Sequence, residues 1–258
     1  MTIFATTLGI SKASLRVLRA QPRLLLFPLL AIAVDLTLVL MLVPGLDDPE
    51  DGLTLALLYF LVHGVAVFFS AGLVCEALRA LRGESISLAG GLGCAASRFR
   101  AIVAYAIIES TVGLVLGALA RGGRPGRWLK MLLGGAWTLV SYLGLPVLIA
   151  ERRGGYDSLR RSGALLRQTW GETAVSELGF RVLLVHLMIA ALIVCLLLAR
   201  LINQPFALAL AIALFLVGVM TIATLQSIYR AALYIFAAEG VVPDGFDTPE
   251  MHAVWRVK

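Results

Sequence analysis

The sequence predicts an all-α fold: a polytopic membrane bundle of six transmembrane helices, with amphipathic interfacial helices beside it. Three observations predict it. Of the 258 residues, 60% are hydrophobic and 15% charged, with mean hydropathy +0.92, too few polar side chains to cover a soluble domain of this length. The apolar residues gather into six stretches, each near the ~20 residues that a helix needs to cross roughly 30 Å of hydrocarbon. Lysine and arginine crowd some of the intervening loops and avoid others, as they do in multi-pass proteins.

The stretches are 24–43, 53–75, 101–120, 128–150, 178–199 and 206–228. Lys12, Arg16, Arg19 and Arg23 precede the first as in a signal peptide, but its apolar run is too long and ends in Val43, Pro44 and Gly45 without a small-x-small cleavage site. It reads as an uncleaved signal anchor. The chain divides into an interfacial helix over 1–23, a six-helix domain over 24–239 and a cytoplasmic tail over 240–258. With both termini cytoplasmic, 16 Lys and Arg lie inside against 5 outside, Arg181 uncounted, and the acidic turn Asp47, Asp48, Glu50, Asp51 faces out. Arg121, Arg124, Arg127 and Lys130 run against that count and are external unless spans 3 and 4 form a hairpin that dips and returns. The arginine bias among the basic residues fits a GC-rich prokaryotic genome, and the expected location is the inner membrane.

Two segments between spans have one apolar and one basic face. In 2–20, Ile3, Phe4, Leu8, Leu15 and Leu18 oppose Lys12, Arg16, Arg19 and Arg23. In 155–170, Tyr156, Leu159, Gly163, Leu166 and Trp170 oppose Asp157, Arg160, Arg161 and Gln168. Both suit a membrane surface. Arg16, Arg19, Arg152, Arg153, Arg160 and Arg161 are the candidates for anionic lipid headgroups or a partner, each worth about 1 kcal/mol near such a surface. A third segment, 85–99, is loosened by Gly90, Gly91 and Gly93.

Signatures of chemistry are missing from the sequence. No HExxH, GxSxG or P-loop occurs, and His63, His186 and His252 lie on separate segments. The match of residues 91–96 to GxGxxA follows no strand, so it predicts no nucleotide site. Cys75, Cys94 and Cys195 form no CxxC pair, so no disulfide framework, zinc site or other metal is expected. No run of the nucleic-acid-binding kind accompanies the net charge of +6. The expectation is a non-enzyme without cofactor. Trp128, Tyr59, Tyr142 and Trp170, near span ends, read as aromatic-belt residues.

Ionisable residues inside spans are the informative ones, because a charge at mid-bilayer costs roughly 3 kcal/mol and turns inward to a partner or water. The candidates are Asp35, Glu109, Glu177, Arg181 and Arg230, with Glu76, His63, His186 and Gln226 behind them. Glu177 and Arg181, four apart, can pair on one helix face. These groups form either a network that fixes packing or a hydrated path. In a proton or cation path the carboxylates would relay or select, whereas an anionic lipid would favour Arg181 and Arg230. Ser110, Gly113 and Gly117 make a small-residue stripe for close helix approach, within the bundle or between subunits of a homo-oligomer. Pro28 and Pro146 can kink spans 1 and 4, freeing carbonyls that need partners.

Several stretches together resemble a known family. They are Leu26 to Pro28, Arg82 to Glu84, Glu109 to Gly113, Gly135 to Trp137, Pro146 to Glu151, Ser158 to Ser162, Leu165 to Glu172, Ala232 to Tyr234 and Pro243 to Phe246. The pattern is similar to uncharacterised prokaryotic six-span integral membrane proteins, a domain of unknown function. That resemblance covers nearly the whole chain and implies architecture alone. The functional expectation is a self-associating channel-like or transporter-like protein. Its alternative is an envelope scaffold that binds anionic lipid or a cytoplasmic partner through the basic helices.

Overall fold

A computed structural model describes residues 3–42, 52–169, 205–243 and 245–246, with isolated positions at 189, 192, 193 and 197. The described elements are α1 (Ile3–Ala20), a 3₁₀ turn (Pro22–Leu25), α2 (Leu26–Leu42), α3 (Gly52–Leu81), α4 (Leu88–Ser97), α5 (Phe99–Arg121), α6 (Gly123–Ser141), α7 (Gly144–Ala150), α8 (Gly155–Thr169) and α9 (Pro205–Glu239). The fold is all-helical among these residues. Five candidate spans are long and apolar enough to cross a membrane: Pro22–Leu42, Gly52–Leu81, Phe99–Arg121, Gly123–Ala150 and Ile212–Glu239. The expected span 178–199, with Glu177, Arg181 and His186, lies outside the described residues apart from the isolated positions.

The buried core gathers at the end of the bundle where α1 meets the end of α9. There Leu24 and Phe27 join Ala71 to Leu81, Leu143 to Ile149, Leu159, Leu165 and Ile228 to Phe236. At the opposite end the large apolar side chains point outward, among them Leu40, Met41, Leu53, Leu57, Val115, Met131, Leu132, Leu214 and Val217. In hydrocarbon that exposure carries no hydrophobic penalty, so packing is decided by shape and polar pins.

Phe27 supplies the shape. Its ring lies where a Cβ on Gly91 would come within 2.4 Å and one on Gly72 within 2.9 Å, so both glycines are needed to bring α2, α3 and α4 together. The glycines that loosen 85–99 in the sequence thus buy close approach, and α4 is a regular helix whose first turn is capped by Ser87 Oγ accepting from the Gly90 N–H at 2.9 Å. Glu76, 1% exposed, accepts the Ser87 N–H at 2.6 Å and lies 3.2 Å from Arg79 Nη1, which pins the turn between α3 and α4. A disulfide between Cys75 and Cys94, Cα atoms 6.6 Å apart, ties the same two helices. This overturns the expectation of unpaired cysteines: the residues are 19 apart, and the hairpin between α3 and α4 closes a spacing that no linear motif reveals.

The fourth expected span is broken. Helix α6 stops at Ser141, and α7 restarts at Gly144 ahead of Pro146, whose ring removes one intrahelical N–H. Two side chains reach the break. Tyr105 Oη reaches the Ser141 carbonyl at 3.3 Å, and the Leu143 N–H donates to Ser162 Oγ at 3.0 Å.

Helix α8 folds back onto α5, α6 and α7, and a Cβ on Gly155 would lie 2.6 Å from the Tyr105 backbone nitrogen. Its buried face holds Gly155, Ser158, Leu159, Ser162, Leu165 and Leu166, while Tyr156 is exposed. The apolar stripe of the sequence was therefore offset, because small serines serve the contact. In α1, Lys12, Arg16 and Arg19 are exposed and Ala13, Ser14 and Leu18 are buried against the α9 end.

Candidate functional site

Glu109 sits 10 residues into α5, about 15 Å along a helix rising 1.5 Å per residue, which is mid-membrane depth for a span of that length. Tyr105 precedes it by one helical turn and donates from Oη to Glu109 Oε1 at 2.9 Å. From α3, His63 brings Nε2 to 3.5 Å from Glu109 Oε2 and stacks on Tyr59, rings 5.8 Å apart and 20° from parallel. From α9, the Arg230 guanidinium lies over the Tyr142 ring, 4.9 Å from its centroid. These groups surround a polar cavity of about 330 Å³ lined by His63, Glu109, Trp137, Thr138, Ser141, Tyr142 and Arg230.

Four elements thus converge where the fourth span breaks. The break supplies Ser141 and Tyr142 to the wall, and Tyr105 Oη, whose proton points to Glu109 at 2.9 Å, also lies 3.3 Å from the Ser141 carbonyl. Arg230 Nε is buried without a hydrogen-bond partner among the described residues, so a fixed cation directs an unused donor inside the bundle. His63 Nε2 makes no hydrogen bond among the described residues, so the imidazole faces the carboxyl across a gap that one small approach or a bridging water would close. Low local dielectric makes each charge felt more strongly than it would be in water.

Of the intramembrane candidates, Glu109 and Arg230 are brought to one cavity. Asp35 is not: it lies on α2 outside the lining, its Oδ1 buried without a partner among the described residues. Ser110 is fully buried beside the acid, a Cβ on Gly113 would lie 2.6 Å from Tyr59 Oη, and Gly117 faces open space, so the small-residue stripe spans three environments. Of the expected headgroup ligands, Arg153 and Arg161 are paired to Glu151 at 2.5 and 3.1 Å, while Arg16, Arg19, Arg152 and Arg160 are exposed. Burial raises the Glu151 pKa, but hydrogen bonds and charge from Arg153 and Arg161 outweigh it and hold the carboxyl below its ordinary value.

Tyr105, Thr138 and Ser141 were missed by the sequence, and His63 ranked low. The spacing of Tyr105 and Glu109 was a usable signal. Tyr142 is corrected from a belt residue to the wall of this site, buried at 8% exposure beneath Arg230, while Tyr59 stacks on His63 from outside the lining. No group of three His, Cys, Asp or Glu among the described residues is placed to hold a metal.

The helices and the polar cavity define a multi-pass membrane protein. The chain belongs to a family of unknown function (DUF6159), whose profile matches residues 51–244 and so takes in α3 to α9 with the whole cavity lining. No curated protein and no solved structure matches it.

Proposed function

We propose that this is a non-enzymatic six-span protein that passes a small solute through the bundle, with His63 and Glu109 exchanging protons and Arg230 favouring an anion. The observation that supports this reading is the polar cavity at the break of span 4. A broken helix at mid-membrane depth is tolerated where it is enclosed by protein or lines a water-filled cavity, and transporters use such breaks to bind solutes. The scaffold reading draws on the exposed basic face of α1 at Lys12, Arg16 and Arg19.

We place both termini in the cytoplasm of a prokaryotic inner membrane, on the 16 to 5 count of basic residues. A cysteine replacing Asp48 in a cysteine-free background reacts with an impermeant reagent on whole cells and one replacing Arg160 does not; the reverse pattern removes this orientation. For function, the protein is reconstituted in vesicles loaded with chloride or a pH-sensitive dye. Flux above protein-free background that falls at least tenfold in both Glu109→Gln and Arg230→Gln, with unfolding temperature retained, is the expected result. Wild-type flux equal to background in folded, correctly oriented protein ends the transport reading.

A further inference from the structure

Three chargeable side chains line the polar cavity, and their formal charges balance. Arg230 brings a positive charge, ionised Glu109 a negative one, and neutral His63 none. Yet the balance is not made by contact. No ion pair among the described residues involves Arg230, and its Nε is buried without a partner among them. His63 Nε2 is likewise buried without a hydrogen bond, 3.5 Å from Glu109 Oε2. Two unused polar atoms, one on α3 and one on α9, therefore border a single space, and each is costly in a low-dielectric interior until a ligand or water meets it. The other titratable side chains around this set are Tyr59 on α3, Tyr105 on α5 and Tyr142 at the break, phenols that carry no formal charge.

Size and shape narrow the ligand. A volume of about 330 Å³ lies at the low end of the roughly 300–1,000 Å³ of small-molecule pockets, which suits a few heavy atoms. The Tyr142 ring lies against one face of the Arg230 guanidinium and leaves its edge, with Nε, for a ligand. That edge is a planar fork of donors that matches the two oxygens of a carboxylate. Trp137 adds an aromatic wall for a short apolar chain.

An anion entering alone would leave the cavity with a net negative charge, whereas an anion entering with one proton leaves it neutral, as it was when empty. Building on the anion preference of Arg230 proposed above, we infer that the cavity binds a short-chain monocarboxylate together with one proton. The carboxylate oxygens accept from Arg230, and the proton, taken from solution, is held between His63 Nε2 and Glu109 Oε2. Each partner favours the other by the same factor, because coupling between two bound species is reciprocal. A dicarboxylate would leave one charge uncompensated in the cavity and is excluded on that ground.

The test is isothermal titration calorimetry of the detergent-purified full chain with propionate, at about pH 6 and about pH 8, the range in which an imidazole changes charge while a carboxylate ligand stays ionised. Repeating each titration in two buffers of different ionisation heat counts the protons. Close to one proton is taken up per propionate at the higher pH, and binding is at least tenfold tighter at the lower. Succinate binds at least tenfold more weakly than propionate, and chloride, a sphere that cannot span the fork, about fivefold more weakly. Glu109→Gln removes the negative charge, so it binds propionate at the higher pH as tightly as wild type does at the lower, without proton uptake; a carboxylate that merely braced the bundle would not give this. Arg230→Gln abolishes binding. If either variant fails to fold, the wild-type proton count decides alone. Propionate binding without proton uptake overturns the inference, and so does succinate or chloride binding as tightly as propionate. Absence of propionate binding in folded protein that still passes chloride overturns it while leaving the transport reading in place. Proton-linked propionate binding in protein whose flux equals background upholds it and ends the transport reading.

Discussion

The two ends of the bundle both carry large apolar side chains and behave as different materials. The end that joins α1 to α9 is held by buried shape and polar pins: Phe27 against Gly72 and Gly91, Glu76 on the Ser87 N–H, and Ser162 on the Leu143 N–H. The end that holds Leu40, Leu53, Val115 and Leu132 turns its side chains outward. The difference teaches that hydropathy locates a span but not its core, because a lipid tail is as good a neighbour for leucine as another leucine. What marks the core is small or polar: Gly72, Gly91, Gly155, Ser158 and Ser162.

Glycine substitutions should separate the ends most strongly. Gly91→Leu and Gly155→Leu would force Phe27 or the Tyr105 backbone to move, and each is expected to cost about 3 kcal/mol or more and to lower the yield of folded protein. Gly117→Ala and Gly135→Ala meet nothing within 4 Å and should stabilise their helices by up to about 1 kcal/mol. Thermal unfolding in one detergent compares them, and equal losses at both ends would erase the contrast.

Removing single pins should cost less. Glu76→Leu strands the Ser87 N–H and Ser162→Ala strands the Leu143 N–H, each expected to lower stability by about 1–3 kcal/mol in chemical denaturation. Thr221→Ala at the other end, where the hydroxyl merely returns to the Val217 carbonyl of its own helix, should stay within about 0.5 kcal/mol.

How far the sequence could be read follows the same division. Periodicity and length located the spans near α2, α3, α5 and α9, and the ends moved where polar residues continued a helix: Glu76 and Arg79 extend α3, and Arg230 extends α9. The break at 141–143 was half legible, since Pro146 announced a disturbed helix but not that Tyr105 and Ser162 would reach it. In the site, Glu109 and Arg230 stood out as costly charges. His63 was underrated because nothing in the sequence brings its helix to Glu109, and Tyr142 because aromatic residues near span ends ordinarily mark the interface. The pairing of Cys75 with Cys94 and the drift of the α8 stripe onto serine depended on tertiary contacts that no local pattern encodes.

A small, pH-dependent effect is expected at the turn between α7 and α8. The folded-state pKa of Glu151 is depressed, so its pairing with Arg153 and Arg161 contributes stability above the ordinary glutamate pKa and loses it as pH falls through the depressed value. Partial exposure keeps the contribution below about 1 kcal/mol. Comparing wild type with Glu151→Gln between neutral pH and pH 3, the difference in unfolding temperature should shrink toward acid; a constant difference would remove the pairing from the account.

The central claim is that a polar cavity open to water lies inside the packed bundle at the break of span 4. Cysteine reactivity in membranes tests it most directly, because a cysteine attacks a charged methanethiosulfonate as its thiolate, which forms only where water reaches it. In a background with Cys75, Cys94 and Cys195 replaced by alanine, Thr138→Cys, on the cavity wall, is compared with Ile149→Cys, in the apolar core. The account predicts at least tenfold faster modification at position 138 than at 149. Equal, negligible rates at both positions in folded protein would contradict it and leave His63, Glu109 and Arg230 as a sealed brace.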